Sequence, residues 1–182
     1  MNSTFEILKG LPAYGKMYIP IPERNLSEGL PVEFTKDDGT KWVANFELDD
    51  RNESLNYIAD LNYSGEVLIV AKNIIYIIDR NKELPIIAFK GYFEKVIEHK
   101  NFKILIGHEC MVVVKSSEKI EFYDNLNYAF TSDVSLSNGI IQILIFEYNL
   151  PIEQRDRIHS IAIDDINFGN FKTNNYYKSN KI

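Results

Sequence analysis

The sequence predicts an all-β fold, a mainly antiparallel meander of about 11–13 strands with little helix. Three observations lead to this prediction. Aromatic residues make up 13% of the chain and 25 of its 182 residues are isoleucine, and both kinds of side chain pack well on a pleated sheet. Short apolar runs are separated by turn signals such as Asp-Gly and Asn-Gly. The long helical crossovers that parallel strands require are missing from the pattern. We expect a two-sheet sandwich or an open propeller-like stack.

The prediction is centred on residues 65–115, which hold two dense blocks of valine and isoleucine. Each block is interrupted by a short polar turn and predicts a β-hairpin. Placing Leu68 on Ile104 aligns the two hairpins at an offset of 36 residues, which indicates internal pseudo-symmetry. The four strands expected in these two hairpins are Glu66–Ala71, Ile74–Asp79, Phe102–Gly107 and Cys110–Lys115.

The segments before this centre are more varied. Residues 1–15 are expected to be irregular, and Met17–Ile21 predicts a short edge strand because its prolines cannot donate to a ladder. An Asp-Gly turn between Pro31–Lys36 and Lys41–Leu48 predicts a hairpin. Within Asp49–Ser64 the apolar residues have partial helical spacing, which suggests a short helix.

Further strands are predicted between these two hairpins and along the rest of the chain. The segment Tyr92–His99 is compatible with a strand or with one helical turn, and an Asn-Gly turn joins the pair that precedes the last strand. We expect one domain over residues 1–169, because domains commonly span roughly 100–200 residues, and a frayed polar tail over residues 170–182. The other expected strands are Leu84–Phe89, Lys119–Tyr123, Tyr128–Leu136, Gly139–Tyr148 and Arg157–Ile163.

Bulk properties exclude several classes of function. The formal net charge of −6 argues against binding to nucleic acid, whose phosphates need clustered lysine and arginine. The apolar runs are too short for a membrane-spanning helix, and the N-terminus lacks the pattern of a secretory signal. Cys110 is the only cysteine, so an intramolecular disulfide is excluded. We therefore expect a cytoplasmic protein that binds no membrane.

No motif in the sequence predicts catalysis, a metal or a cofactor. The triplet His108-Glu109-Cys110 contains reactive groups, but neighbouring side chains diverge at a hairpin turn, so we interpret it as a turn. A metal site would require His99, His108 and His159 to converge with a carboxylate, and their spacing does not predict that. Glycine-rich phosphate loops and the nucleophile elbow are absent from the sequence. We expect a protein without catalytic residues, metal or cofactor.

Pairs of carboxylates and several tyrosines fall at predicted strand ends and loops. Together they could form an acidic rim with tyrosine anchors, a combination suited to a basic protein partner. The residues expected to contact such a partner are Asp37, Asp38, Asp49, Asp50, Tyr63, Tyr92, Tyr128 and Asp133.

Two other classes of function stay open. A hydrolase or lyase on a β scaffold would use His99, His108 or His159, with two of them near a carboxylate. A carbohydrate- or surface-binding module would present a row of exposed tyrosines or Trp42 on one sheet face.

The order of segments in residues 30–170 resembles that of small bacterial all-β proteins of poorly known role. The segments that carry this resemblance are WVANFEL, the two central apolar hairpins, SLSNGIIQILIF and IAIDDINFG. Some proteins of this kind are encoded beside polymorphic toxins and are taken to be immunity proteins. The resemblance implies a protein that neutralises a toxin by binding it, but it assigns no functional residue.

Overall fold

The computed structural model describes residues 4–12, 18–23, 28–48, 54–61, 65–107, 110–124, 128–147, 151–154 and 156–166. For residues 124, 128–133, 145–147, 154, 156, 157 and 159 within these ranges it describes the backbone only. The described chain contains 15 strands in four sheets and two 3₁₀ helices. The predicted all-β, mainly antiparallel fold is confirmed.

The chain divides into two compact units, residues 1–90 and residues 91–181. Each unit contains two sheets and is described by itself below. The single domain over residues 1–169 stays a prediction. The tail expected at residues 170–182 lies outside the described residues.

The first sheet contains four strands in the order β1-β3-β4-β2. The predicted Asp-Gly hairpin joins β3 to β4, and Gly39 in its turn has a φ of 82°, which glycine adopts without strain. Strand β2 lies at the edge, as its prolines predict, and pairs with β4 in parallel. The strands are β1 (Phe5–Ile7), β2 (Tyr18–Ile21), β3 (Leu30–Thr35) and β4 (Lys41–Phe46).

The second sheet is an antiparallel meander of four consecutive strands. The turn between its central strands, Lys72-Asn73, has positive φ at both residues, as the asparagine suggests. The strands are β5 (Tyr57–Leu61), β6 (Glu66–Ala71), β7 (Ile74–Asp79) and β8 (Pro85–Lys90).

The short helix expected within Asp49–Ser64 is wrong for the described part of that segment, where β5 lies. Tyr57, Ala59 and Leu61 alternate with Ile58 and Asp60, and Ala59 and Leu61 are buried. Pairing with β6 satisfies the backbone groups on one side of this segment. Hydrogen bonding to the edge of β6 therefore determines the conformation of this segment, and its weak helical spacing does not.

The core of the first unit lies between its two sheets. The rings of Phe34 and Trp42 stack with their centroids 4.7 Å apart, and those of Phe46 and Tyr76 lie 5.3 Å apart. Trp42 Nε1 donates a 2.8 Å hydrogen bond to the carbonyl oxygen of Arg80, so the buried indole leaves no unpaired donor. Other residues of this core are Ile21, Val32, Ala44, Val67, Ile69, Ala71, Ile74 and Ile78.

The second unit repeats the meander and adds a three-stranded sheet. The third sheet contains β9 (Lys95–His99), β10 (Phe102–Ile106), β11 (Cys110–Ser116) and β12 (Lys119–Asp124). The fourth sheet contains β13 (Tyr128–Ser137), β14 (Ile140–Glu147) and β15 (Asp156–Ala162). The 3₁₀ helices Ile152–Gln154 and Ile163–Asp165 precede and follow β15.

The core of the second unit joins its two sheets. Ile104, Ile106, Met111 and Val113 belong to the third sheet, and Val134, Ile141 and Ile143 to the fourth. Ile163 and Ile166 complete the same cluster from the segment after β15. The fifteen strands exceed the predicted 11–13 because β1 and β5 occupy segments without a clear strand pattern.

The predicted offset of 36 residues is present in the strand register. Ile69 pairs with Tyr76 in the second sheet, and Leu105 pairs with Val112 in the third, which is the same pair shifted by 36 residues along the chain. The cores nevertheless lie on opposite faces of the two hairpins. Ile69 belongs to the first core. Its counterpart Leu105 does not belong to the second core, which contains the adjacent Ile104 on the other face of the strand. Both hairpins are buried on both faces, which explains their continuous apolar runs.

Replacing Gly29 with alanine is expected to destabilise the fold. A Cβ atom there would lie 2.4 Å from Asn45 Oδ1 and 2.4 Å from the carbonyl oxygen of Phe46. Because the carbonyl belongs to a paired strand, relief requires a backbone shift, and we expect a loss of about 1–3 kcal/mol in the free energy of unfolding. Urea denaturation measures it. Gly10→Ala is the control, since nothing lies within 4 Å of its Cβ; equal stability of the two variants would contradict the packing.

Candidate interaction surfaces

The predicted acidic residues Asp37 and Asp38 belong to a set of charged and polar side chains that we call the loop cluster. It contains Lys36, Asp37 and Asp38 from the β3–β4 loop, and Arg80, Asn81 and Glu83 from the β7–β8 loop. Both loops lie in the first unit, and the bond from Trp42 to the Arg80 carbonyl connects the second loop to β4. The loop cluster therefore rests on the core.

Asp37 is held by partners within the loop cluster. One carboxylate oxygen accepts a 2.9 Å hydrogen bond from Asn81 Nδ2, and the other pairs with Arg80. The backbone N–H of Asp37 donates to Asn81 Oδ1 at 2.9 Å. Although 65% of the Asp37 side chain is exposed, a cation from a partner would have to compete with Arg80 for this carboxylate.

Asp38 and Lys36 are engaged as well. Asp38 Oδ1 accepts hydrogen bonds from Thr40 N at 2.8 Å and from Thr40 Oγ1 at 2.6 Å, which closes the hairpin turn. Lys36 Nζ lies 2.8 Å from Glu83 Oε1. Both described aspartates of the predicted acidic rim in the first unit are therefore engaged by other groups of the same unit.

Hydrogen bonding lowers the pKa values of both aspartates. The pKa of Asp37 falls below its ordinary value of 3.8, chiefly because of the Asn81 hydrogen bond and then the Arg80 guanidinium. The pKa of Asp38 falls below 3.8 because of the Thr40 hydroxyl and then the Thr40 backbone N–H. Both carboxylates therefore stay ionised to a lower pH than a free aspartate does, because of contacts within the loop cluster.

The remaining predicted contact residues are divided between described and undescribed parts of the chain. Tyr92 is exposed just before β9. Tyr128 and Asp133 lie on β13, where only the backbone is described. Asp49, Asp50 and Tyr63 lie outside the described residues.

The reactive groups singled out in the sequence are also spread over the second unit. His99 ends β9, and its Nε2 atom is buried without a hydrogen-bond partner in the described part of the chain. Cys110 begins β11 and is half-buried. The backbone of His159 lies on β15 opposite Ile143, while His108 and Glu109 lie outside the described residues. Within the described ranges, no three His, Cys, Asp or Glu side chains are grouped to hold a metal ion.

Trp42 does not provide the exposed aromatic face that the carbohydrate-binding hypothesis requires. Its side chain is 5% exposed and stacks on Phe34 inside the first core. An indole in this position holds two sheets together and presents no face to a sugar.

Asn45 is a buried polar residue that the sequence did not single out. It is fully buried on β4, and neither Oδ1 nor Nδ2 has a hydrogen-bond partner in the described part of the chain. Its register partners are Pro31 on β3 and Pro20 on β2, which lack a backbone N–H. An enclosed amide without partners lowers stability and offers no accessible contact.

A different surface lies on the fourth sheet, on the side away from the second core. We call it the outer face and define it by three cross-strand rows from the observed register. The first row is Ser137, Ile140 and Ala162, the second is Ser135, Gln142 and Ser160, and the third is Leu144 and Ile158. None of these eight residues is charged. An uncharged sheet face open to solvent is suited to contact with another molecule.

Exposed aliphatic side chains are concentrated on and beside the outer face. Ile158 is 70% exposed and Ile140 is 40% exposed. Ile152, in the 3₁₀ helix before β15, is 77% exposed. The neighbouring Ile141, Ile143 and Ile161 point into or pack against the second core.

Acidic residues come shortly before and after β15, the strand that carries Ile158. Asp164 and Asp165 follow β15 in the second 3₁₀ helix, whose Ile163 N–H donates to the Gly139 carbonyl oxygen beside Ile140. Glu153 precedes β15 in the first 3₁₀ helix, at the strand end nearer Ile158. All three carboxylates are exposed, and none is ion-paired in the part of the chain that the structure describes.

Sequence reasoning missed the outer face for a physical reason. In IIQILIF, apolar residues occupy both alternation phases, so periodicity cannot show which face is buried. On β15, Ile158, Ser160 and Ala162 alternate with the adjacent residues. The small polar Ser160 was the signal in the sequence that this set faces solvent.

Comparisons of the chain with protein-family models, curated proteins and solved structures found no match. None of the helices among the described residues has the length and apolarity to cross a membrane.

The loop cluster predicts two separable titrations. By carboxyl NMR, Asp37 and Asp38 should each titrate below 3.8. Asn81→Ala removes a hydrogen-bond donor to Asp37, so it should raise the pKa of Asp37 and leave that of Asp38 unchanged. Thr40→Val removes a donor to Asp38, so it should raise the pKa of Asp38 and leave that of Asp37 unchanged. Both folded-state pKa values are depressed, so the stability they contribute is present above pH 3.8 and is lost as pH falls through the folded values. Unshifted midpoints in the unsubstituted protein would contradict these contacts.

Proposed function

We propose that the chain is a non-enzymatic cytoplasmic binding protein whose partner is a basic protein. Within that class we propose an immunity protein, which occludes a basic toxin by binding to it. The proposal is supported by the distribution of charge and exposed apolar surface over the described residues, and by the resemblance to small bacterial all-β proteins.

Exposed acidic side chains outnumber exposed basic ones. Among the described side chains, 12 aspartates and glutamates are exposed against seven lysines, and no arginine is exposed. Lys41 and Lys82, two of the seven, already pair with Glu33 and Asp79. The resulting negative field attracts a basic protein and speeds its diffusional encounter.

The observation that carries the proposal is that three exposed carboxylates next to β15 have no ion-pair partner in the described part of the chain, unlike Asp37 and Glu83 of the loop cluster. In the first unit, Asp37 and Glu83 are neutralised by their own ion pairs. In the second unit, Glu153, Asp164 and Asp165 have no such partner in the described part of the chain, and exposed isoleucines lie nearby. Unpaired charge beside exposed apolar surface is the combination found at protein interfaces with a charged rim.

The segment that forms the fourth sheet is also the most acidic part of the second unit. Residues 128–166 contain six acidic residues and two arginines, which gives a net charge of −4. The six acidic residues are Asp133, Glu147, Glu153, Asp156, Asp164 and Asp165.

A direct test is to express each protein encoded next to this chain in its native genome, alone and together with the chain. We expect one basic neighbour to arrest growth when expressed alone, and the chain to relieve the arrest and form a stable complex in size-exclusion chromatography with light scattering. Acidic neighbours are the matched controls. Failure of every basic neighbour to bind would contradict the proposal.

The same complex should show electrostatic steering. Because acidic groups attract the partner over a distance, the association rate constant should fall by about tenfold or more between low salt and 0.5 M NaCl. Stopped-flow fluorescence measures the rate, and sucrose at matched viscosity controls for diffusion. A rate that does not depend on salt would count against a basic partner.

A further inference from the structure

We propose that the outer face of the fourth sheet is the surface on which the basic partner docks. In this assignment Ile140, Leu144 and Ile158 contact apolar side chains of the partner. Lysine or arginine side chains of the partner pair with Glu153, Asp164 and Asp165. The inference rests on the proposed function and adds where, and with which side chains, binding takes place.

The dimensions of the outer face suit one element of a partner. Ile158 and Ala162 are four residues apart on β15, so the rows they mark lie about 13 Å apart along the strand. Leu144 lies directly opposite Ile158, and Ile140 directly opposite Ala162. Each of the two outer rows thus has an apolar pair, and the polar middle row of Ser135, Gln142 and Ser160 can hydrogen-bond to a partner.

Charge complementarity favours a basic partner over the alternatives. Carboxylates lie beside both ends of an uncharged face, which places attractive positions on either side of the apolar pairs. A second copy of the chain is disfavoured, because turning the face onto itself brings the carboxylates at the ends of one copy against those of the other. The partner is therefore a protein that presents apolar side chains flanked by cations.

The loop cluster is a weaker candidate for the same role. Its carboxylates already have cationic or hydrogen-bond partners, so docking there would first break contacts within the chain. Leu84 is the large apolar side chain exposed beside it, with 68% exposure, and it provides a matched control for Ile158.

The test uses a fluorescein-labelled peptide of alternating leucine and lysine, which combines apolar and cationic side chains. Binding to the full chain is measured by fluorescence anisotropy at low and at moderate salt. We expect saturable binding of this peptide and none of a peptide with glutamate in place of lysine. Binding should weaken as the salt concentration rises.

Variants locate the binding. Ile158→Ser is expected to weaken affinity at least about tenfold, because a central apolar anchor is lost. Leu84→Ser should leave it unchanged. The double variant Asp164→Asn/Asp165→Asn should weaken affinity about three- to tenfold at low salt, whereas Glu118→Gln, an exposed glutamate in the β11–β12 turn, should not. Circular dichroism and urea unfolding of each variant verify that the fold is intact.

The possible results separate the two proposals. Saturable binding that Ile158→Ser and the double variant leave unchanged would overturn the outer face as the docking surface, while a basic partner would still stand. The outer face would also be overturned as the docking surface if the peptide does not bind and a basic neighbour binds both variants with unchanged affinity. If no basic neighbour and no cationic peptide binds, the proposed function fails as well. Residues 170–182 carry Lys172, Lys178 and Lys181. If the peptide binds more tightly after their removal, the outer face binds the chain's own basic segment, and its assignment to a partner is overturned.

Discussion

The constraint on which both units depend is the burial of the β6–β7 and β10–β11 hairpins on both faces. Their central residues, such as Ile69, Ile77, Leu105 and Val113, have no exposed surface. Full burial of a valine or isoleucine side chain stabilises a fold by about 1.5–3 kcal/mol, and the two hairpins bury many. This apolar content holds the sheets together but leaves the hairpin strands no surface for contact with other molecules. Function is therefore expected on the peripheral loops and on the fourth sheet.

The loop cluster and the outer face differ in how their charges are arranged. In the first unit, loops from neighbouring sheets exchange ion pairs and hydrogen bonds, and the aspartates in them are structural groups. In the second unit, three exposed carboxylates near the outer face have no described partner, and the face between them is uncharged. Ion pairs between exposed groups contribute little to stability, so carboxylates left without such pairs cost the fold little and are available to a partner.

The sequence predicted the fold class, the hairpins with Asp-Gly and Asn-Gly turns, the edge position of β2 and the offset of 36 residues, because local turn chemistry and apolar runs determine them. It did not predict β5, whose strand state depends on pairing with the edge of β6 and not on its own apolar pattern. Nor could it show that Asp37 would meet Asn81, since that contact joins residues 44 positions apart. The outer face was hidden because Ile140 and Ile141 have the same side chain and opposite environments.

The central claim is that the outer face of the fourth sheet, and not the first unit, meets the basic partner. Isoleucine δ1-methyl NMR tests it most directly, because exposed and buried isoleucines alternate along the same strands. On titration with the basic neighbour, the methyl signals of Ile140 and Ile158 should shift or broaden. Those of Ile141 and Ile143 in the core, and of exposed Ile7 in the first unit, should change far less. Binding that moves Ile7 and leaves Ile140 and Ile158 in place would contradict the account.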